Sequence, residues 1–127
     1  GHNPFLVQNR KEVDQFFAMT MHQRPFMPDI VIEAVSDKYI SRRHQLEKIF
    51  NDFSQSDTVE NDLDKIIAPA MVWWGDKDRL LDVSAVPVWE AGIPNVQTHI
   101  FKDVGHMPMM EVPKDSAQVY HDFLLQL

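Results

Sequence analysis

The feature that most constrains the fold of this chain is an unbroken apolar run, Ala70 to Trp74, which ends at Gly75. Short runs of this kind form strands that are buried on both faces, and such strands are typical of parallel sheets. A second strand is predicted over Val96–Phe101. Between the two, Ser84–Ala91 has the pattern of a short helix that ends at Gly92. Strand, helix and strand in this order predict a right-handed parallel crossover.

Amphipathic stretches without strand signals precede this run. Residues 54–60 are polar and are predicted to form a loop. Gly1-His2 resembles the remnant of a cleaved tag, so the first segment is counted from residue 3. The change of pattern divides the chain into a helical segment, residues 3–60, and the sheet-forming residues 61–127. The longer helices are predicted over Lys11–Gln23, Asp29–Tyr39, Arg42–Phe53 and Pro113–Leu127.

Residue types also predict the ends and the buried faces of these helices. Asn9 and Ser41 are the expected N-caps of the first and third helices, and Pro28 is expected to be the first residue of the second. Apolar residues at helical spacing predict which face is buried. These faces are Val13, Phe16, Phe17 and Thr20 in the first helix, Ile30, Val31, Ala34 and Val35 in the second, Leu46, Ile49, Phe50 and Phe53 in the third, and Ala117, Tyr120, Phe123, Leu124 and Leu127 in the last.

Charge and composition exclude several classes of protein. The net charge of −7 and a pI near 5.2 disfavour binding to a phosphate backbone, so no nucleic-acid partner is expected. The chain has no cysteine, which excludes disulfides and thiolate metal sites. No histidine pair has the spacing of metal ligands with a supporting acid, and no metal or cofactor is predicted. Nothing in the sequence indicates a cellular location.

Two polar segments directly follow the predicted strands. The first, Gly75-Asp76-Lys77-Asp78, follows the apolar run, and the second, Gly105-His106, follows Val96–Phe101. In open α/β sheets, catalytic groups gather beyond the carboxyl ends of the strands. An aspartate that bonds a histidine holds the imidazole in one tautomer, as acyl transfer requires. Each segment alone also has an ordinary explanation, since such aspartates commonly stabilise turns and loop histidines are usually bystanders.

The order of these motifs is similar to the C-terminal end of α/β-hydrolases. The resemblance covers residues 66–127 and rests on the apolar strand with Gly75-x-x-Asp78, on Gly105-His106 after the next strand, and on Glu111-Val112-Pro113 before the last helix. It implies that Asp78 is the acid of a catalytic triad and His106 its general base. Asp76 competes for the acid role, but the family pattern favours the second aspartate and leaves Asp76 as a turn or loop-capping residue.

The serine that the resemblance implies is not found in this chain. The family places it in Gly-x-Ser-x-Gly on a strand-to-helix turn, and none of the serines here has a glycine two residues away. Because the family order is serine, acid and histidine, the serine is expected to lie before residue 1. The chain is therefore expected to be a C-terminal fragment of an α/β-hydrolase that is inactive by itself.

Residues 3–60 resemble the helical cap, or lid, that many α/β-hydrolases carry before the Gly-x-x-Asp strand. "QRPFMP", "RRHQLEKIFNDF" and "LLDVSA" are similar to the bacterial lipase and monoacylglycerol-lipase-like branch. Aromatic and methionine side chains suit an acyl-chain pocket, which makes Phe16, Phe17, Phe26 and Met27 candidate substrate contacts. The alternative is that they pack the cap onto the core.

The function that these features favour is carboxylic-ester hydrolysis by a serine lipase or esterase, with a small ester or lipid as substrate. The alternatives are another α/β-hydrolase, such as a C–C hydrolase, a dehalogenase or a haloperoxidase, and a non-catalytic interaction module. A sheet of two strands would expose apolar faces and an edge, so the isolated chain is also predicted to self-associate.

Overall fold

The structure of the chain, a computed structural model, describes residues 3–53 and 58–127, with the backbone alone for Phe53. Contacts divide these residues into two units: residues 3–18 with 26–53, and residues 19–25 with 58–127. The second unit therefore includes a short segment, 19–25, that the sequence assigns to the helical part. The lid role of residues 3–60 stays a prediction.

Three helices build the first unit. They are α1 (Arg10–Thr20), whose last two residues belong to the second unit, α2 (Asp29–Ser41) and α3 (Arg43–Phe53). Asn9 caps α1 as predicted, because its Oδ1 accepts the Glu12 N–H at 3.1 Å. The Glu12 carboxylate in turn accepts the Gln8 N–H at 2.8 Å, so two amides at the start of the helix are satisfied.

The predicted starts of the second and third helices are wrong. Pro28 has an extended backbone and precedes α2 as its N-cap, so Asp29 is the first helical residue. Ser41 does not cap α3. It is the last residue of α2, where its hydroxyl donates to the Lys38 carbonyl at 3.0 Å. The polar residue therefore closes one helix instead of opening the next.

The predicted buried face of α2 is also wrong. Ile32 and Ser36 are buried, whereas Ile30 is 74% exposed and Val31 and Ala34 are exposed. Apolar residues occur on every side of α2, so their spacing does not single out one face. Ser36 can be buried because its hydroxyl donates to the Ile32 carbonyl at 2.6 Å.

Half-buried aromatic rings pack against one another in the first unit. The ring of Phe5 lies 5.6 Å from that of Phe16 and 5.3 Å from that of Phe50, and Phe16 also contacts Tyr39. On α3, Leu46 and Phe50 are half-buried, as the predicted face requires, but Ile49 is exposed. The side chain of Phe53, which completes that predicted face, lies outside the described residues.

The second unit contains the predicted parallel sheet. Its strands are β1 (Ala70–Gly75) and β2 (Val96–Phe101), paired from Ala70 opposite Val96 to Gly75 opposite Phe101. This arrangement confirms the predicted fold class. The crossover consists of a 3₁₀ helix, Val83–Ala85, and α4 (Val86–Gly92). An earlier 3₁₀ helix, Glu60–Lys65, contributes the buried Leu63.

Two helices follow β2: α5 (Pro108–Glu111) and α6 (Pro113–Leu124). The last predicted helix thus ends three residues early, and of its predicted face Phe123 alone is buried. None of the described helices is long and apolar enough to cross a membrane. Several apolar side chains of α6 stay exposed, and self-association stays a prediction.

Candidate active site

The loop after β1 is joined to the loop after β2 through main-chain hydrogen bonds. The N–H of Asp76 donates to the Phe101 carbonyl at 3.0 Å, and the N–H of Lys77 donates to the Val104 carbonyl at 2.9 Å. Because the strands are parallel and in register, both loops begin at the same edge of the sheet. This geometry brings Asp78 next to the loop that contains His106.

The carboxylate of Asp78 is buried and held by the backbone. Its Oδ1 accepts the N–H groups of Leu80 at 2.8 Å and Leu81 at 3.0 Å, and its side chain is only 3% exposed. The indole N–H of Trp74 donates to the Leu81 carbonyl at 2.9 Å, which ties this turn to β1. The remaining oxygen, Oδ2, is thereby fixed in position for a second partner.

That partner is His106. Its Nδ1 lies 2.8 Å from Asp78 Oδ2, and its ring is 35% exposed. An ionised carboxylate only accepts hydrogen bonds, so this contact favours, for the neutral imidazole, the tautomer with the proton on Nδ1 and a lone pair on Nε2. In the described part of the chain no residue bonds Nε2. The pair thus has the geometry of a general base held in one tautomer.

Two glycines allow the close approach of the chain segments around this pair. A Cβ at Gly75 would overlap the carbonyl oxygens of Val104 and Gly105, which belong to the facing loop. A Cβ at Gly105 would lie 2.7 Å from the N of His22 and 2.8 Å from the O of Thr20. Larger residues would force the backbones apart, so glycine is required at both positions.

Asp76 stabilises the loop after β2. Its Oδ1 accepts the N–H of Asp103 at 2.6 Å, and its Oδ2 lies 3.4 Å from Lys77 Nζ. Asp103 has a positive φ of 56°, a conformation that aspartate tolerates better than most residues. The structure therefore gives Asp76 the loop-capping contact expected of it, whereas Asp78 contacts the histidine.

The contacts of Asp76 predict a pH-dependent contribution to stability. Burial alone raises its pKa, but the Asp103 amide and the Lys77 ammonium outweigh burial, and the pKa of Asp76 lies below its ordinary value of 3.8. A carboxylate with a lowered pKa stabilises the fold above its ordinary pKa and loses that contribution as the pH falls through the folded value. We expect Asp76→Asn to lower the urea midpoint at neutral pH, and the gap to wild type to narrow below about pH 4.

Urea titrations at a series of pH values measure this gap. Asp115→Asn is the control for the loss of one negative charge. Asp115 is an exposed aspartate at the start of α6. A gap between wild type and Asp76→Asn that stays constant from neutral to acid pH would contradict the role given to the Asp76 carboxylate.

A small cavity of about 100 Å³ adjoins the pair. The two serines of this unit are bonded elsewhere: Ser84 pairs with Asp82, and the Ser116 hydroxyl donates to the Val112 carbonyl at 2.9 Å. Neither therefore serves as a nucleophile for His106. The residues that line the cavity are Trp73, Trp74, Gly75, Asp78, Leu81, His106 and Pro108.

The four predicted substrate contacts lie in the first unit. Phe17 is buried, Phe16 is half-buried among other rings, and Met27 is half-buried. Phe26 is 92% exposed. Their role in substrate binding stays a prediction.

Sequence reasoning gave no role to Glu111, which the structure places at the centre of the loop around His106. The signal for it in the sequence is the Glu111-Val112-Pro113 segment, which is part of the family pattern. The N–H groups that the Glu111 carboxylate accepts include those of His22 and Gln23, residues 89 and 88 positions away. Within the described residues, no group of three histidine, aspartate or glutamate side chains could hold a metal ion.

Comparison with known proteins gives a family and several relatives. Residues 9–113 match a family described as the alpha/beta hydrolase fold. The chain is 31% identical over 126 residues to Lipase 3 of Moraxella sp. (strain TA144) and 28% identical over 125 residues to monoacylglycerol lipase ABHD6 of Mus musculus. These matches cover 96% and 95% of this chain but 39% and 37% of the relatives, so the chain spans about two fifths of their length.

Solved structures share its fold. The structure of a membrane phospholipase A, described as a bacterial virulence factor, matches 98% of this chain and 40% of its own, with a TM-score of 0.92 and 30% identity. Carboxylesterase CesB from Bacillus subtilis matches 94% of this chain and 42% of its own, with a TM-score of 0.71. At 15% identity the second likeness concerns the fold alone.

Proposed function

Because the chain belongs to the α/β-hydrolase fold family, we propose that it supplies the acid and the general base of a carboxylic-ester hydrolase of lipase type. The resemblance to the lipase and monoacylglycerol-lipase-like branch is confirmed by the relatives. The observation that carries the proposal is the 2.8 Å contact between Asp78 and His106. Since the chain spans about two fifths of the relatives' length, 39% and 37%, the activity is proposed for the whole protein.

In the proposed reaction, a serine outside this chain attacks the carbonyl carbon of the ester. His106 Nε2 takes the serine proton as the bond to carbon forms, and Asp78 stabilises the resulting imidazolium. His106 then gives that proton to the leaving alcohol as the carbon–oxygen bond breaks. Water attacks the acyl-enzyme in the same way, with His106 again as the base, and releases the carboxylic acid and the serine.

The local contacts support Asp78 over Asp76 as the acid. Both oxygens of Asp78 are engaged, Oδ1 with two backbone amides and Oδ2 with His106. The oxygens of Asp76 face the Asp103 amide and the Lys77 ammonium instead. A triad acid must be oriented rigidly toward the imidazole, and Asp78 satisfies this requirement.

The substrate we propose is a lipid ester, in keeping with the relatives named as a lipase and a monoacylglycerol lipase. Phe26 and Met27 are better candidates for acyl-chain contacts than Phe16 and Phe17. The side chains of Phe16 and Phe17 are already packed in the first unit. Phe26 offers a large apolar surface that a chain of methylene groups can cover.

The test of the proposal is an assay of the full-length protein with p-nitrophenyl esters of short and long acids and with a monoacylglycerol. We expect hydrolysis that a serine-directed fluorophosphonate abolishes, with labelling at a residue outside this chain. A well-folded full-length protein that hydrolyses none of these esters would overturn the proposal. No labelling, together with an aspartate at the nucleophile position of the full-length sequence, would point to dehalogenation instead.

A further inference from the structure

The carboxylate of Glu111 accepts four backbone N–H groups. Its Oε2 lies 2.8 Å from the N of His22 and 2.7 Å from that of Gln23. Both of its oxygens lie 3.0 Å from the N of Gly105, and its Oε1 lies 3.4 Å from that of Met107. One side chain therefore bonds the main-chain N–H groups of the residues immediately before and after His106.

The same backbone is also bonded to the last residue of α1 and to the segment that follows it. The His106 N–H donates to the Thr20 carbonyl at 2.7 Å, and the Gln23 side-chain amide donates to the Asp103 carbonyl at 2.8 Å. Helix α1 ends at Thr20 instead of the predicted Gln23. The termination fits these contacts, because the amides of residues 22 and 23 point to Glu111 and not back along the helix.

The chemistry of the site requires an ionised carboxylate. Four donors converge on two oxygens, and bonds from N–H groups to a charged acceptor are stronger than neutral ones. A glutamine has the same shape but offers one acceptor oxygen and one donor NH₂ group. The NH₂ group would face backbone N–H groups, so the substitution removes bonds and adds a repulsive contact at little change in volume.

We propose that Glu111 is a positioning residue that orients His106 toward Asp78 without touching either the imidazole or the substrate. It fixes the main chain at Gly105 and Met107, and thereby the direction in which the ring between them points. The segment 20–23 becomes part of the same support. The catalytic consequence rests on the proposed function, whereas the geometric consequence for the His106 ring does not.

The first experiment measures the His106 ring by NMR in the full-length protein. The wild type is expected to show a far-downfield proton on Nδ1, bonded to Asp78, and Glu111→Gln is expected to lose or broaden it in protein that is still folded. Glu90→Gln is the matched control, since this glutamate accepts one 3.3 Å bond from Thr98. A folded Glu111→Gln with an unchanged Nδ1 proton would overturn the proposal, because a residue that only stabilises the fold would leave this signal intact.

The second experiment measures kinetics in the full-length protein. We expect Glu111→Gln to lower kcat by about 100-fold with little change in KM, as for a catalytic group displaced by about 1 Å. Glu111→Asp keeps the charge and is expected to lose about tenfold, a partial rescue. If Glu111→Gln fails to fold, Glu111→Asp becomes the test of the proposal. A Glu111→Asp variant with wild-type kcat and an unchanged Nδ1 proton would overturn it. An inactive wild type refutes the proposed function alone, since the NMR result stands without activity.

Discussion

We expect Asp78→Asn to lower the kcat of the full-length protein by about four orders of magnitude and to leave KM nearly unchanged, if the proposed function holds. The asparagine oxygen can still accept the N–H groups of Leu80 and Leu81, so the turn is preserved. Its NH₂ group, however, donates toward His106 Nδ1 and favours the tautomer with the proton on Nε2. That tautomer cannot take a proton from serine. Steady-state kinetics with a p-nitrophenyl ester measure the effect.

Asp82→Asn is the matched control for this substitution. Asp82 caps the short 3₁₀ helix after the same loop and accepts the Ser84 N–H at 2.9 Å. It is exposed, and we expect its substitution to change kcat by less than about threefold. Activity of Asp78→Asn within tenfold of wild type would show that another residue is the triad acid.

The largest effect on stability is expected for Gly75→Ala. The added methyl group would overlap the main-chain oxygens of Val104 and Gly105, and this loop is held in place by the Lys77 N–H bond to Val104 and the Gly105 N–H bond to Glu111. The free energy of unfolding is expected to fall by about 3 kcal/mol or more. The loop that contains His106 would move outward, so the contact with Asp78 would also be lost. Urea titration followed by tryptophan fluorescence measures the first change.

Gly92→Ala provides a comparison within the same unit. The three atoms nearest to the added methyl group there belong to the side chain of Leu63: Cδ1 at 2.5 Å, Cβ at 2.7 Å and Cγ at 3.2 Å. Leu63 Cδ1 and Cγ can move with the rotamer, whereas Cβ requires a small shift of the 3₁₀ helix. We expect a smaller loss of stability than at Gly75, where main-chain oxygens lie at still shorter distances. Equal urea midpoints for Gly75→Ala and wild type would contradict the close approach of the two loops.

The Asp78–His106 pair could be predicted because both residues follow apolar strands at a fixed place in the fold. A run such as Ala70–Trp74 permits few structures, and parallel strands bring their carboxyl ends to one edge. The family resemblance then distinguished Asp78 from Asp76. Local pattern and topology were sufficient here because each residue's position depends on its own strand.

The features that were mispredicted or missed depend on contacts between distant residues. The buried face of α2 could not be chosen from spacing, because α2 has apolar residues on every side. Which face is buried depends on what packs against Ile32 and Ser36. The end of α1 at Thr20 follows from bonds to His106 and Glu111. Such contacts span 80 positions or more, and no local propensity encodes them.

The central claim is that Asp78 fixes the proton of His106 on Nδ1 and leaves Nε2 as the base. The most direct test is the ¹⁵N NMR spectrum of the His106 ring at a pH where the imidazole is neutral, with His106→Gln to assign the signals. The claim predicts a protonated Nδ1 and an unprotonated Nε2 in the wild type, and the opposite tautomer in Asp78→Asn. A wild-type ring with its proton on Nε2 would contradict it.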